Sequence, residues 1–397
     1  MKKTLIALAA VAATASFAQS SVTISGIMDA NVQTGKSYGQ AYDLVGQSGA
    51  RTTSVQIRGT EDLGGGLKAN FRFEVQPSFT AGDGNGFNNT IATAAAVGTD
   101  AAQATGQASA QSGLVGKGYS FVGLSGDFGE VQFGTINSAS LSTFGTGSGA
   151  FNTGVGSGYG VIQGSSGTNT FTRFENSLVY ITPNFSGLTA RFLTNFKNNE
   201  QYGATTGVVL RRPKIDELGL SYVNGPLAVR AAYLTIKASP NEAAASATAA
   251  AGSNVKTTTT TVGASYNFGV AVVGANLSNV KNNAGLTTTS LTGATESKSY
   301  LLTAVVPMGA ARLMASYGER KTDASPVTAL EGKKTTFMGV GAEYDLSKRT
   351  YLYARYQGGK AGDASASSIV VNGAAQAAGQ LADTKYNLFA VGVSHAF

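Results

Sequence analysis

Leu388-Phe389-Ala390-Val391-Gly392-Val393-Ser394-His395-Ala396-Phe397 alternate bulky with small up to an aromatic carboxyl end. Alternation with a period of two marks a β-strand whose faces differ. Phe389, Val391, Val393 and Phe397 share one face, while Ala390, Gly392, Ser394 and Ala396 share the other. Chain ends are ordinarily frayed and polar. An apolar closing strand therefore predicts a barrel whose outside meets lipid.

The same pattern recurs along the chain. In Leu67 to Gln76, the residues Leu67, Ala69, Phe71, Phe73 and Val75 oppose Lys68, Asn70, Arg72, Glu74 and Gln76. Comparable runs lie near 22–34, 51–60, 66–78, 118–126, 129–137, 175–182, 187–198, 215–224, 226–237, 257–268, 270–282, 297–306, 311–322, 333–344, 350–360 and 384–397, sixteen in all. Short turns fall at Glu61 to Gly65, Gly126 to Phe128, Pro183 to Ser186, Asn224 to Pro226, Phe268-Gly269, Pro307 to Gly309 and Asp345 to Arg349. They interleave with long connections near 35–50, 79–117, 138–174, 199–214, 238–256, 283–296, 323–332 and 362–383. Alternating short and long links place both termini at the short-turn end, as in outer-membrane barrels. The predicted fold is all-β: a 16-stranded antiparallel transmembrane β-barrel with short periplasmic turns and long extracellular loops. Tyr119, Tyr180, Tyr222, Tyr266, Tyr300, Tyr344 and Tyr356 are expected in its interfacial girdles.

Composition narrows the function. Met1-Lys2-Lys3, the apolar Leu5 to Val11 and the small-x-small Ser16-Phe17-Ala18 read as a signal peptide over 1–18, leaving 19–397 as the barrel. Losing Lys2 and Lys3 leaves 27 basic against 22 acidic residues, a net +5. That charge is spread thinly, without the basic tract of a nucleic-acid binder. Beyond the signal, no stretch approaches the roughly 20 apolar residues of a membrane helix. Cysteine is absent and His395 is the single histidine. Disulfides, thiol chemistry and histidine clusters are thereby excluded, and no cofactor or metal is expected.

If the apolar parity faces lipid, the opposite parity lines a lumen. Arg58, Lys68, Arg72, Glu74, Arg191, Lys197, Arg230, Arg312, Arg320, Glu343 and Arg355 then point inward. A small barrel would have to pair and bury such charges at several kcal/mol per ion; sixteen strands leave room for water. An aqueous channel with a basic wall is the expectation, with anions weakly favoured because low-dielectric walls focus the field. Residues 131–172 carry no charged side chain. The loop 138–174 is the candidate to fold inward and narrow the bore, and Arg173 and Glu175 flank its return. Loop 79–117 is assigned to contacts between subunits.

Several segments resemble the general porins of Gram-negative bacteria, of the beta-proteobacterial and neisserial trimeric type. They are Ser21-Val22-Thr23-Ile24-Ser25-Gly26, Arg58-Gly59-Thr60-Glu61-Asp62-Leu63-Gly64-Gly65-Gly66-Leu67-Lys68-Ala69, and Phe121 to Gly129. Asn176 to Leu188, Tyr344 to Thr350 and the aromatic terminus complete the set. The resemblance implies a homotrimer, an inward third loop, passive diffusion of small hydrophilic solutes, and contact with lipid and lipopolysaccharide. It also implies that Phe397 addresses the outer-membrane assembly machinery. By position, Arg58, Arg72, Glu74, Lys117 and Arg173 match the constriction residues of relatives. The chain departs from the pattern at Val55 and Val179, where relatives often carry basic residues.

Two rival classes lack the residues they need. A barrel phospholipase or protease needs a histidine or carboxylate cluster beside a nucleophile, and His395 falls on the lipid-facing parity near the periplasmic rim. An adhesin or structural barrel without an open pore needs loops rich in Tyr, Trp and Arg anchors. Here 79–117 and 238–256 are mostly Ala, Gly, Ser and Thr.

Overall fold

The computed structural model describes residues 21–37, 40–77, 118–159, 173–196, 214–238, 255–282, 296–324, 331–362 and 384–397. Its strands are β1 (Ser21–Ser37), β2 (Gln40–Gln47), β3 (Ser54–Gly64), β4 (Leu67–Val75), β5 (Ser120–Gly126) and β6 (Gly129–Asn137). Helix α1 (Ala139–Ser148) and a 3-10 turn (Gly149–Phe151) follow, then β7 (Arg173–Ile181), β8 (Leu188–Asn195), β9 (Lys214–Asn224), β10 (Leu227–Ala238) and β11 (Val255–Asn267). β12 (Val272–Asn282), β13 (Glu296–Met308), β14 (Ala311–Ala324), β15 (Lys334–Asp345), β16 (Thr350–Ala361) and β17 (Thr384–Ala396) complete the wall.

Every pairing is antiparallel, and β17 returns to β1 over Ile27↔Ala396 through Lys36↔Asn387. Closure matters because each backbone polar group left unpaired in lipid costs several kcal/mol. The seam runs to the last residue. Gly26 N–H donates to the Phe397 carbonyl at 3.1 Å, and Phe397 N–H donates back to the Gly26 carbonyl at 3.1 Å. Gly26 is glycine because the Phe397 ring lies across it: a Cβ there would stand 2.4 Å from the ring edge.

Seventeen strand segments make sixteen crossings. The outer edge of β1 pairs with β2 from Ala30↔Gln47 to Ser37↔Gln40 and with β3 from Ser21↔Thr60 to Ile27↔Ser54. β2 and β3 are therefore two halves of one crossing, interrupted at residues 48–53. This corrects the expectation of a long first connection over 35–50. Only residues 38 and 39 separate β1 from β2, and most of 35–50 is strand. The cause is Asp29, fully buried on the inward parity of β1. Its carboxylate accepts Gly49 N–H at 2.8 Å, Arg51 N–H at 3.0 Å and the Tyr353 hydroxyl at 2.6 Å. A charge taken out of water holds main-chain donors in preference to the ladder, so the second crossing buckles inward around it.

The seven expected short turns each join consecutive strands at one end of the barrel. In the β3 to β4 turn, Gly64, Gly65 and Gly66 have φ of 84°, 60° and 81°, a region in which side chains are strained. The alternation reads as expected. Ile24, Val122, Leu277, Leu302 and Val391 are exposed on the outside, while Glu74, Gln132, Asn276 and Arg355 are buried within. Of the girdle candidates, Tyr180, Tyr266 and Tyr344 are exposed on the outer face. Tyr119 is the exception: it donates to Gln132 Oε1 at 2.5 Å and lies under the Arg72 guanidinium, inside the wall.

Candidate functional site: the bore and its inward segment

The residues after β6 turn into the barrel. Ser138 caps α1 by accepting Leu141 N–H at 2.9 Å. The helix carries no charge and includes Gly145 and Gly147. Ten such residues do not hold a helix in water alone, so the wall supplies the stability. Glu217 of β9 accepts Ala139 N–H at 2.6 Å, Ser140 N–H at 2.9 Å and the Ser140 hydroxyl at 2.8 Å. A carboxylate there satisfies orphan donors and faces the positive end of the helix dipole.

Carbonyls of the helix are met from successive strands. Arg230 Nη1 reaches Ser142 O at 3.3 Å and Thr146 Oγ1 at 2.8 Å. Asn276 Nδ2 donates to Phe144 O at 3.0 Å, and Thr303 Oγ1 to Gly147 O at 2.7 Å. Beyond the 3-10 turn, Ser316 Oγ donates to Gly156 O at 2.6 Å, and Arg355 Nη1 reaches Phe151 O and Val155 O at 3.3 Å each. Val155 N–H then donates to Gly49 O at 2.7 Å, in the break between β2 and β3. From Ser138 to Tyr159 the segment thus lies inside the barrel along β9 to β16. The inward loop expected over 138–174 is this one; 79–117 and 160–172 lie outside the described residues.

Charged side chains gather on the inner wall in two groups. Arg72 of β4 pairs with Glu74 beside it, and Arg173 of β7 approaches the same carboxylate at 3.7 Å. The Arg72 guanidinium sits 4.7 Å from the Tyr119 ring centroid. In the second group, Arg312 meets Glu343 at 2.8 Å and Asp345 at 3.0 Å, while Arg355 binds the other Glu343 oxygen. Arg58 is exposed on the inward parity of β3 and donates to Gln56. Arg191 donates to Asn137 O at 2.7 Å, at the root of the inward segment. Lys117 lies outside the described residues.

The wall is less uniform than the sequence suggests. Arg355 is 1 % exposed, its guanidinium engaged by Glu343 and by three carbonyls of the inward segment. It works as a fastening between wall and segment. Across β6 to β10 the inner face turns apolar: Ile136, Phe174, Val179, Leu193, Ile215 and Leu234 form one buried cluster. Val179 belongs to it. Val55 pairs with Val75 on the outward parity, so its lack of charge leaves the bore untouched. Three residues that matter carry no local signal in the sequence: Asp29, Glu217 and Arg51. The first two are lone carboxylates on the inward parity. Arg51 lies in the strand break, exposed, next to Ala50, which packs against Tyr351 and Tyr353 of β16.

A closed barrel with short turns at one end, an apolar outside and an uncharged segment pinned within its bore is the frame of a diffusion channel. Residues 4–364 match the Gram-negative porin family. The chain belongs to that family. It is 31 % identical to outer membrane porin protein 32 of Delftia acidovorans over the full length of both chains. An outer membrane porin protein of Bordetella pertussis is 27 % identical, covering 89 % of this chain and 93 % of that one. Among solved structures, an anion-selective porin from Comamonas acidovorans superposes with a TM-score of 0.68 at 28 % identity, covering 96 % of this chain and all of that one. The protein is thus an outer-membrane porin, a water-filled channel whose sixteen crossings span the bilayer.

Proposed function

We propose that this porin passes small hydrophilic solutes passively and favours anions over cations. The observation that carries the reading is the sharing of Glu74 by Arg72 and Arg173, opposite an inward helix without a single charge. One carboxylate does not neutralise two guanidiniums, and Arg51 and Arg58 add exposed positive charge nearby in sequence. Arg191, Arg230 and Arg312 line the same face at intermediate exposure. The similarity to an anion-selective porin agrees with this. The balance is modest, because Glu343 and Asp345 offset Arg312 and Arg355.

In the cell the chain loses residues 1–18, assembles as a homotrimer, engages the assembly machinery through Phe397, and contacts lipopolysaccharide. Its role is conduction without catalysis: His395 Nδ1 lies 2.8 Å from Thr350 Oγ1 on the outer rim, away from the bore. Planar-bilayer recording tests the proposal. Under a salt gradient at low ionic strength, the reversal potential takes the sign of chloride preference and channels insert in steps of three. A cation-selective reversal potential refutes the electrostatic reading.

A further inference from the structure

Beside the paired arginines of the inner wall lies an aromatic shelf that charge selection does not use. The rings of Tyr119, just before β5, and Phe121, within it, have centroids 5.0 Å apart and are tilted by 36°. Both point inward, because Val122 and Leu124 on the opposite parity are exposed on the outer face. Each is only partly buried, and each packs against the buried apolar cluster of β6 to β10.

The shelf has charge on one side only. Arg72 stands directly opposite Phe121 across β4 and β5, and its guanidinium lies 4.7 Å from the centroid of the Tyr119 ring. On the other side, Phe121 faces Gly134 of β6, which has no side chain to cover it. Tyr119 is capped by a cation and tied to Gln132 through its hydroxyl. Phe121 is the ring left free.

The guanidiniums beside the shelf have donors to spare. Glu74 accepts Arg72 on Oε2 and Gln76 Nε2, at 3.0 Å, on Oε1. Arg173 Nη2 stops 3.7 Å from Oε1, beyond hydrogen-bond reach. Nε of Arg72 and of Arg173 is buried with no hydrogen-bond partner among the described residues. A buried donor is ordinarily matched, and a guanidinium presents its donors in a planar fork that fits a carboxylate. The side chains of Arg72 and Arg173 are 20 and 22 % exposed, so a solute in the bore reaches them. Arg173 pairs with Asn137, the last residue of β6 before the inward segment. The group therefore lies at the root of that segment, where the passage narrows.

We infer that this part of the bore binds aryl carboxylates, with the carboxylate on Arg173 and Arg72 and the ring on Phe121. The inference rests on the anion-favouring reading and names a class of solute within it. Sites for small molecules combine an apolar lining with a few convergent polar groups, and aromatic rings attract one another in offset or tilted arrangements beyond their burial alone. Facing side chains on adjacent strands stand about 4.5–5.5 Å apart at Cβ, a step that benzoate spans from its ring to its carboxylate. Acetate finds the same guanidiniums but gives the shelf nothing to hold.

The test uses the purified full-length channel in planar bilayers bathed in sodium chloride at about pH 7, where benzoate and acetate are both ionised. Benzoate should interrupt the open-channel current at a concentration at least roughly tenfold below that of acetate, which corresponds to about 1.4 kcal/mol. Neutral benzamide should not replace it. Phe121→Ala should bring the two carboxylates level, Phe121→Tyr should keep the preference for benzoate, and Arg173→Gln should weaken both anions. The periplasmic-turn control Lys348→Gln should match wild type. Equal potency of benzoate and acetate on wild type overturns the inference without any variant having to fold. So does a preference for benzoate that survives Phe121→Ala, or interruption by benzamide equal to that by benzoate. A cation-selective reversal potential in sodium chloride would instead defeat the anion-favouring reading, and the ratio of benzoate to acetate, two ions of one charge, still decides the site.

Discussion

Glu217→Gln should loosen the inward helix without unfolding the barrel. The native carboxylate is 1 % exposed and accepts three donors from the first turn of α1, at 2.6, 2.9 and 2.8 Å. An amide keeps the shape but turns an NH2 group toward a donor and removes the charge. Hydrogen bonds to a charged acceptor contribute about 1.5–3 kcal/mol each. Two main-chain donors at the low end give about 3 kcal/mol, roughly a 150-fold shift between docked and detached helix. Arg230, Asn276 and Thr303 still hold the later turns, so detachment is local and transient. Single-channel recording should show more frequent sub-millisecond fluctuations of the open current. The thermal unfolding of the barrel should move little, because every strand register is intact. A control near the periplasmic end of β3, Glu61→Gln, leaves the current quiet. Open-channel noise indistinguishable from wild type would mean that Glu217 does not fasten the helix.

Arg72→Glu should move selectivity toward cations more than Lys348→Glu, since the first lies beside Glu74 and Tyr119 in the bore and the second in a turn; equal shifts of reversal potential would contradict the lumen assignment. The difference should shrink as salt rises from about 0.1 M to 1 M, where the screening length falls from about 10 to 3 Å. Gly26→Val should impair closure, because a Cβ there would stand 2.4 Å from the Phe397 ring and 2.7 Å from Ser54 O. The check is heat-modifiability on gels, with a normal folded fraction counting against it. Asp29→Ala strips the acceptor from Gly49, Arg51 and Tyr353 and should expose residues 48–53 to limited proteolysis; an unchanged cleavage pattern argues that the ladder alone shapes the break.

Much of the wall was legible because a strand in lipid shows its period plainly: Leu67 to Gln76 and Leu388 to Phe397 each sort cleanly into two faces. The turns were legible through Gly64 to Gly66 and their counterparts. The strand break was not, because its cause is Asp29, some twenty residues earlier, and local sequence at 40–53 carries no sign of it. Helix α1 was hidden for a related reason. Its Ser, Thr and Gly residues show no helical apolar stripe, and its stability comes from wall side chains between Glu217 and Arg355. Parity placed Arg355 inward correctly but could not distinguish a water-facing guanidinium from one spent on carbonyls.

The inward segment leaves β6, lies along β9 to β16 and reaches Gly49 in the broken second crossing, so it ties distant parts of one ring together. A thin-walled tube under lateral pressure flattens into an oval unless something spans it. A strand of polypeptide anchored at both ends of a chord resists that deformation. The part of the chain that narrows the passage therefore also acts as its cross-brace, and the width of the opening and the stiffness of the cylinder are set by the same few hydrogen bonds.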